Sequence, residues 1–226
     1  MKIANNAEML GITGERGTLY PVLVWGDNEV VLIDTGLPMQ TDALREAVKE
    51  AGYSLENITK AILTHQDLDH IGSAKMLADM GAEILAHELE APYIQGDITS
   101  IRLSDMESRF DELDENERAF YERAKQGAPY FYVHVDKPLK DGDRLDICGG
   151  IKILHTPGHT PGHIAVLLEE SNIIIAGDAA NISDGKLIGA DPNYTRDMEQ
   201  AANSLDKIKN CNPSSVVCYH GGLVTA

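Results

Sequence analysis

Thr64-His65-Gln66-Asp67-Leu68-Asp69-His70 places two imidazoles and two carboxylates within a short stretch directly after the apolar run Ala61-Ile62-Leu63. Like charges crowded at the end of a strand repel one another unless something positive sits among them. A divalent cation satisfies all four groups: imidazole suits Zn, Fe and Mn, and carboxylates suit harder cations. Taken alone, the stretch also fits a solvated acidic loop with two incidental histidines. What it constrains is the fold, which must bring a strand end to a place where such side chains have use.

The surrounding sequence alternates strand and helix. Leu19 to Trp25 and Glu29 to Ile33 read as strands joined by a turn at Gly26-Asp27-Asn28, and the second ends in Asp34-Thr35-Gly36. Leu44, Ala47, Val48 and Ala51 fall at helical spacing, with Thr41 as cap and Gly52 as terminator. Ile58 to Leu63 predicts a strand, Ser73 to Met80 a short helix and Glu83 to Ala86 another strand. This alternation predicts a layered α/β fold. Residues 88–140 are polar, acidic and helix-prone, and read as a helical insertion within a single domain spanning 1–226. The insertion carries all three phenylalanines, Phe110, Phe120 and Phe131, with Tyr121, Tyr130 and Tyr132. Those aromatics are expected to pack the insertion onto the body; a substrate pocket or a subunit interface are the other uses open to them. Short strands resume at Arg144 to Ile147, Ile151 to His155, His163 to Leu168 and Asn172 to Ala176. A helix is expected from about Arg196 to Lys209, capped by Thr195, and a last strand from Ser215 to Tyr219.

Three further strand ends carry polar groups. In Thr156-Pro157-Gly158-His159-Thr160-Pro161-Gly162-His163, two prolines and two glycines hold His159 in a tight turn. Ile173-Ile174-Ile175-Ala176-Gly177 ends in Asp178, and Val216-Val217-Cys218-Tyr219 ends in His220. Period-two alternation would put Cys218 on the same face as His220, although a small buried cysteine is the simpler reading.

The ordered set of an HxxxDH after a strand, TPGHTPGH, a Gly-Asp after an isoleucine-rich strand and a late His-Gly resembles the metallo-β-lactamase superfamily. Leu32-Ile33-Asp34-Thr35-Gly36 resembles that family's early signature, and the likeness runs from about residue 18 to residue 222. It implies a four-layer αββα sandwich with a dinuclear metal site on one edge. By position, His65 and His159 match ligands of a first metal, and Asp69, His70 and His220 ligands of a second. Asp178 matches the carboxylate between them, and Asp34 resembles the residue that orients a ligand. Apart from the resemblance, His163 lies close to His159 in the turn and is a candidate to support the ligands. The departure is Asp67: the family reads HxHxDH and this chain HxDxDH. If Asp67 binds, the first site is harder and more negative, which favours Mn or Fe relative to Zn; if it does not, that site is weak or empty. Zn is the first expectation for the two divalent ions. In the quorum-signal lactonase branch, which the chain resembles, a tyrosine stands about where Asn181 lies here. Asn181 donates a hydrogen bond but not the same proton, and Tyr194 and Tyr219 are the candidate substitutes.

The activity implied is a hydrolase using a dinuclear-metal-activated water on a small ester, lactone, thioester or amide, with Asp69 orienting the nucleophile. The alternatives are a phosphodiesterase, a single-iron relative of dioxygenase type, and a metal-binding protein whose activity is lost. A formal net charge of −17 disfavours nucleic acid and anionic membranes as partners, which leaves a small-molecule substrate and room for a homodimer. The N-terminal segment has no apolar signal core, and Cys148, Cys211 and Cys218 form no C-x-x-C pair, so a reducing cytoplasm is expected.

Overall fold

Alternation along the strands decides the layers. In the computed structural model, which describes residues 1–15, 17–26 and 28–225, Val31 and Ile33 point into one apolar layer and Val30 and Leu32 into another. Both faces of such a strand are buried, so each sheet must be covered twice. The first sheet is built from β1 (Lys2–Ala4), β2 (Ala7–Met9), β5 (Val22–Gly26), β6 (Glu29–Ile33), β7 (Lys60–Leu63), β8 (Glu83–His87) and β9 (Lys137–Leu139), in that spatial order. A hairpin of β3 (Ile12–Gly14) and β4 (Gly17–Leu19) precedes β5. From β6 through β9 the pairing is parallel, so the C-terminal ends of these strands share one edge.

The second sheet orders β10 (Arg144–Leu145), β11 (Ile151–His155), β12 (Ile164–Leu168), β13 (Ile173–Ile175), β16 (Ser215–Cys218) and β17 (Gly222–Thr225). Strands β13 and β16 are parallel. Between them in the chain lie the hairpin β14 (Ala180–Ser183) and β15 (Lys186–Gly189) and the helix α7 (Met198–Asn210). The helices of the first half are α1 (Thr41–Glu50), α2 (Leu68–Ile71), α3 (Ala74–Asp79), α4 (Ala91–Ile94), α5 (Ile101–Ser108) and α6 (Glu115–Gly127).

Three apolar layers follow. Leu44 and Val48 of α1 and Ala74 and Leu77 of α3 pack on Leu32, Ala61, Leu63 and Ile84. Val31, Ile33, Ile62 and Leu85 meet Ile153, Val166, Ile175 and Val217 between the sheets. Ile208 of α7 covers Leu154, Ile174, Val216 and Cys218. The molecule is therefore an αββα sandwich with a helical insertion, as expected.

Several local expectations need correction. Leu19 to Trp25 is not one strand, because Pro21, which has no N–H to donate, separates Leu19 of β4 from β5. The Asp27 part of the expected turn lies outside the described residues. Thr41 does not cap α1; a turn of 3₁₀ helix over Pro38–Gln40 leads straight into it. The Thr41 hydroxyl donates to Pro38 O. Thr195 does not cap α7 either. Asp197 does, because its carboxylate accepts from the amides of Glu199 and Gln200, and the helix starts at Met198. The last residues of the 88–140 stretch are not insertion: β9 extends the first sheet beside β8. The aromatics Phe110, Phe120 and Tyr121 pack with Leu103, Met106 and Leu113 in a small cluster of the insertion's own, while Tyr130 is exposed.

Candidate metal centre

The C-terminal strand ends converge. His65 and Asp67 follow β7, Asp178 follows β13, His220 follows β16, and His159 sits in the connection from β11 to β12. Three groups have ligand atoms mutually within 4.8 Å: His65, Asp67 and His159; His65, His70 and Asp178; Asp69, His70 and His220. Asp67 Oδ2 lies 3.3 Å from His159 Nε2 and 3.6 Å from His65 Nε2. His220 Nε2 lies 3.4 Å from Asp69 Oδ2 and 3.3 Å from Asp178 Oδ2. Asp178 stands between the groups, with Oδ1 3.5 Å from His70 Nε2 and Oδ2 3.8 Å from His159 Nε2.

The imidazoles are held from behind. Asp34, fully buried and with φ of 60°, accepts from the Thr64 amide through Oδ1 and faces His70 Nδ1 at 2.8 Å through Oδ2. An Nδ1 that donates to a carboxylate leaves Nε2 with its lone pair aimed at the cluster. The Thr64 hydroxyl, which donates to Asp34, accepts in turn from His65 Nδ1 at 3.1 Å. His163 Nε2 accepts the Asp178 amide at 3.0 Å, and its Nδ1 pairs with the Thr156 hydroxyl at 2.9 Å. Gly177 lets that approach happen, since a Cβ there would meet His163 Nε2 at 2.7 Å.

These bonds leave His65 Nε2, His70 Nε2 and Asp178 Oδ1 buried without a hydrogen-bond partner. Buried polar atoms are almost always satisfied, and three unsatisfied ones facing each other match the donor set of a divalent cation. Electrostatics agrees. Burial opposes charge on His70, yet Asp34, Asp178 and Asp69 raise its pKa well above the ordinary imidazole value. Burial likewise opposes charge on Asp67, and His159 and His65 more than offset it, holding the carboxyl well below its usual range. His163 goes the other way: burial and the neighbouring His65 and His159 keep it neutral, as its acceptor role on the Asp178 amide requires.

Among the described residues the other candidates supply no ligand atom to these three groups. β16 ends at Cys218, so alternation does not carry through to His220; Cys218 lies in the layer under α7, its thiol pushed up to about 12 by burial. The Tyr219 hydroxyl is buried, donates to Asp69 O at 2.6 Å and accepts from the Gly36 amide at 3.2 Å, and the ring packs 3.9 Å from His70. It is therefore a brace, not a proton donor to substrate. Asn181 Oδ1 accepts the neighbouring Ile182 amide and lies beside Gly221. Tyr194 is 65% exposed, in the loop whose Arg196 and Asp197 amides donate to Gly158 O next to His159. His87 and His155 stack on each other at 4.4 Å. Sequence reasoning missed Glu90 and Gln66, whose only signal was a carboxylate just beyond an apolar strand and an amide between two ligands.

A model of the metallo-beta-lactamase superfamily matches residues 18–220. The chain belongs to that superfamily and is a metallo-hydrolase. It is 26% identical to "Probable metallo-hydrolase YflN" of Bacillus subtilis (strain 168), over 93% of this chain and 83% of that one. It is also 26% identical to an N-acyl homoserine lactonase of a Bacillus species, over 85% of this chain and 78% of that one. A metallo-beta-lactamase family protein of Thermus thermophilus superposes with a TM-score of 0.78 at 24% identity, covering 99% of this chain and 76% of that chain. Among the described residues no helix is long and apolar enough to cross a membrane.

Proposed function

We propose that this chain hydrolyses a small uncharged or weakly charged ester, lactone, thioester or amide with two divalent cations. The observation that carries the reading is the trio of buried, partnerless ligand atoms on His65, His70 and Asp178. His65, Asp67 and His159 would hold one cation, Asp69, His70 and His220 the other, with Asp178 between them. Bound there, the pair would supply positive charge for the acceptor oxygen and acidify an attacking water toward neutral pH.

The protein's own residues do the rest. Asp69, partly exposed and fixed by the Tyr219 hydroxyl on its carbonyl, is placed to take a proton from the attacking water and return it to the leaving group. Asp34 and Thr64 keep His70 and His65 in one tautomer and one orientation. Asp67 puts a carboxylate where relatives of the HxHxDH pattern carry an imidazole, so Mn and Fe gain on Zn relative to a three-histidine site. The net charge of −17 argues for a carbonyl substrate over a polyanionic phosphodiester. The homoserine lactonase relative supports lactones as the first class to assay.

The test is a panel run on protein loaded with Zn, Mn or Fe: nitrophenyl esters, acyl homoserine lactones, thioesters and bis-nitrophenyl phosphate. Turnover of a carbonyl substrate that falls at least about a hundredfold in Asp178→Ala supports the reading. Turnover of the phosphodiester alone would replace it.

A further inference from the structure

Glu90 is fully buried just beyond the end of β8, and among the described residues no ion pair joins it to a lysine or arginine. Its two oxygens are instead shared between two loops. Oε2 accepts from the Gln66 amide at 3.0 Å and from Gln66 Nε2 at 3.2 Å, and Oε1 accepts from the Gly162 amide at 2.8 Å. Gln66 stands between the ligands His65 and Asp67, and Gly162 lies three residues beyond His159 in its turn. The approach is so close that a Cβ on Gly162 would meet Glu90 Cγ at 2.8 Å. The amide oxygen of Gln66 in turn accepts the Ile101 N–H at 2.9 Å, at the first residue of α5.

We infer that Glu90 is a positioning residue for the first cation, its single carboxylate setting the distance between the loop of His65 and Asp67 and the loop of His159. The inference rests on the two-cation reading above. A carboxylate can do this because it is acceptor-only on both oxygens and can serve N–H groups from both sides at once. A glutamine of the same shape cannot, since its NH₂ must face a donor on one side or the other. The second cation's ligands have separate supports: Asp34 on His70, and Tyr219 on Asp69. Loss of Glu90 should therefore be felt at one site and not at the other.

Cobalt(II) binding to the full-length chain, read by its absorption bands and by competition with a chelator, tests this. Wild-type protein first establishes whether two cobalt ions bind; fewer than two contradicts the two-cation reading itself. Glu90→Gln is then placed in two backgrounds, His220→Ala, which spares the first site, and His159→Ala, which spares the second. The expected result is a loss of about 10–100-fold in cobalt affinity in the first background and less than about threefold in the second. Equal losses in both backgrounds would reduce Glu90 to a general packing role, and no loss in either would remove it from the site; each overturns the inference. Should Glu90→Gln not fold, Glu90→Asp keeps both oxygens but withdraws them by a methylene, and the same one-sided loss is expected.

Discussion

At the residue scale the centre depends on side chains that touch no substrate. Asp34 occupies a left-handed backbone position that aspartate tolerates better than most residues, and from there it serves Thr64 and His70 together. Asp34→Ala should weaken the second cation by about 10–100-fold, since His70 then loses the acceptor that fixes its tautomer; isothermal titration with Mn or Zn reads the loss. Tyr219→Phe removes one hydroxyl that donates to the half-buried Asp69 O and accepts from Gly36, and takes the bond from the buried Gly36 amide. It should cost about 1–3 kcal/mol of stability in a urea melt. The ligands themselves were legible in the sequence because each follows an apolar run within a few residues. Glu90, Gln66 and Tyr219 were not, because their roles exist only once loops distant in the chain have met. Asp67 was legible as a departure, and the structure brings its carboxylate to His65 and His159.

At the scale of elements, the turn that carries His159 is wedged against α7. Gly158 has φ of +134°, and a Cβ there would meet Ala201 N at 2.4 Å, a backbone atom that cannot swing away. Gly158→Ala should cost about 1–3 kcal/mol in thermal or urea unfolding and weaken metal binding, because the turn can yield only by shifting His159. The same packing explains why α7 starts where it does. Its cap is Asp197, whose neighbour Arg196 and own amide are tied to Gly158 O, and Thr195 is occupied with Asp191 O. Sequence alone pointed to Thr195, and the two-residue shift to Asp197 follows from these loop contacts, which the sequence does not show. Strand β9 was hidden for a related reason: Lys137-Pro138-Leu139 buries only Leu139, so it shows no alternation and gains its strand character from β8. The strands of the inner layer, in contrast, declare themselves through continuous isoleucine, valine and leucine runs. Their burial extends to cysteine: Cys148 and Cys218 are buried and Cys211 half-buried. A thiol reagent at pH 8 should therefore titrate Cys211 rapidly and the other two only on unfolding; fast labelling of Cys218 would contradict the packing under α7.

At the scale of the whole molecule, two parallel strand pairs, β6 with β7 and β13 with β16, end on the same edge of two facing sheets. That topology brings residues more than a hundred positions apart, His65 and Asp178 among them, into one cluster. A folded state that assembles the cluster binds cations that the unfolded chain does not, so cations stabilise it by mass action. At about a hundredfold excess of free metal over its dissociation constant the gain is about 2.7 kcal/mol, and chelation should lower the melting midpoint accordingly. The most direct test of the account is the metal content of the purified chain after loading and desalting, measured by plasma mass spectrometry for wild type and Asp178→Ala. The account predicts about two divalent ions per wild-type chain and a loss of both from a variant that keeps its fold by circular dichroism. An Asp178→Ala chain that retains the wild-type content, or a wild type that holds fewer than two ions, would contradict it.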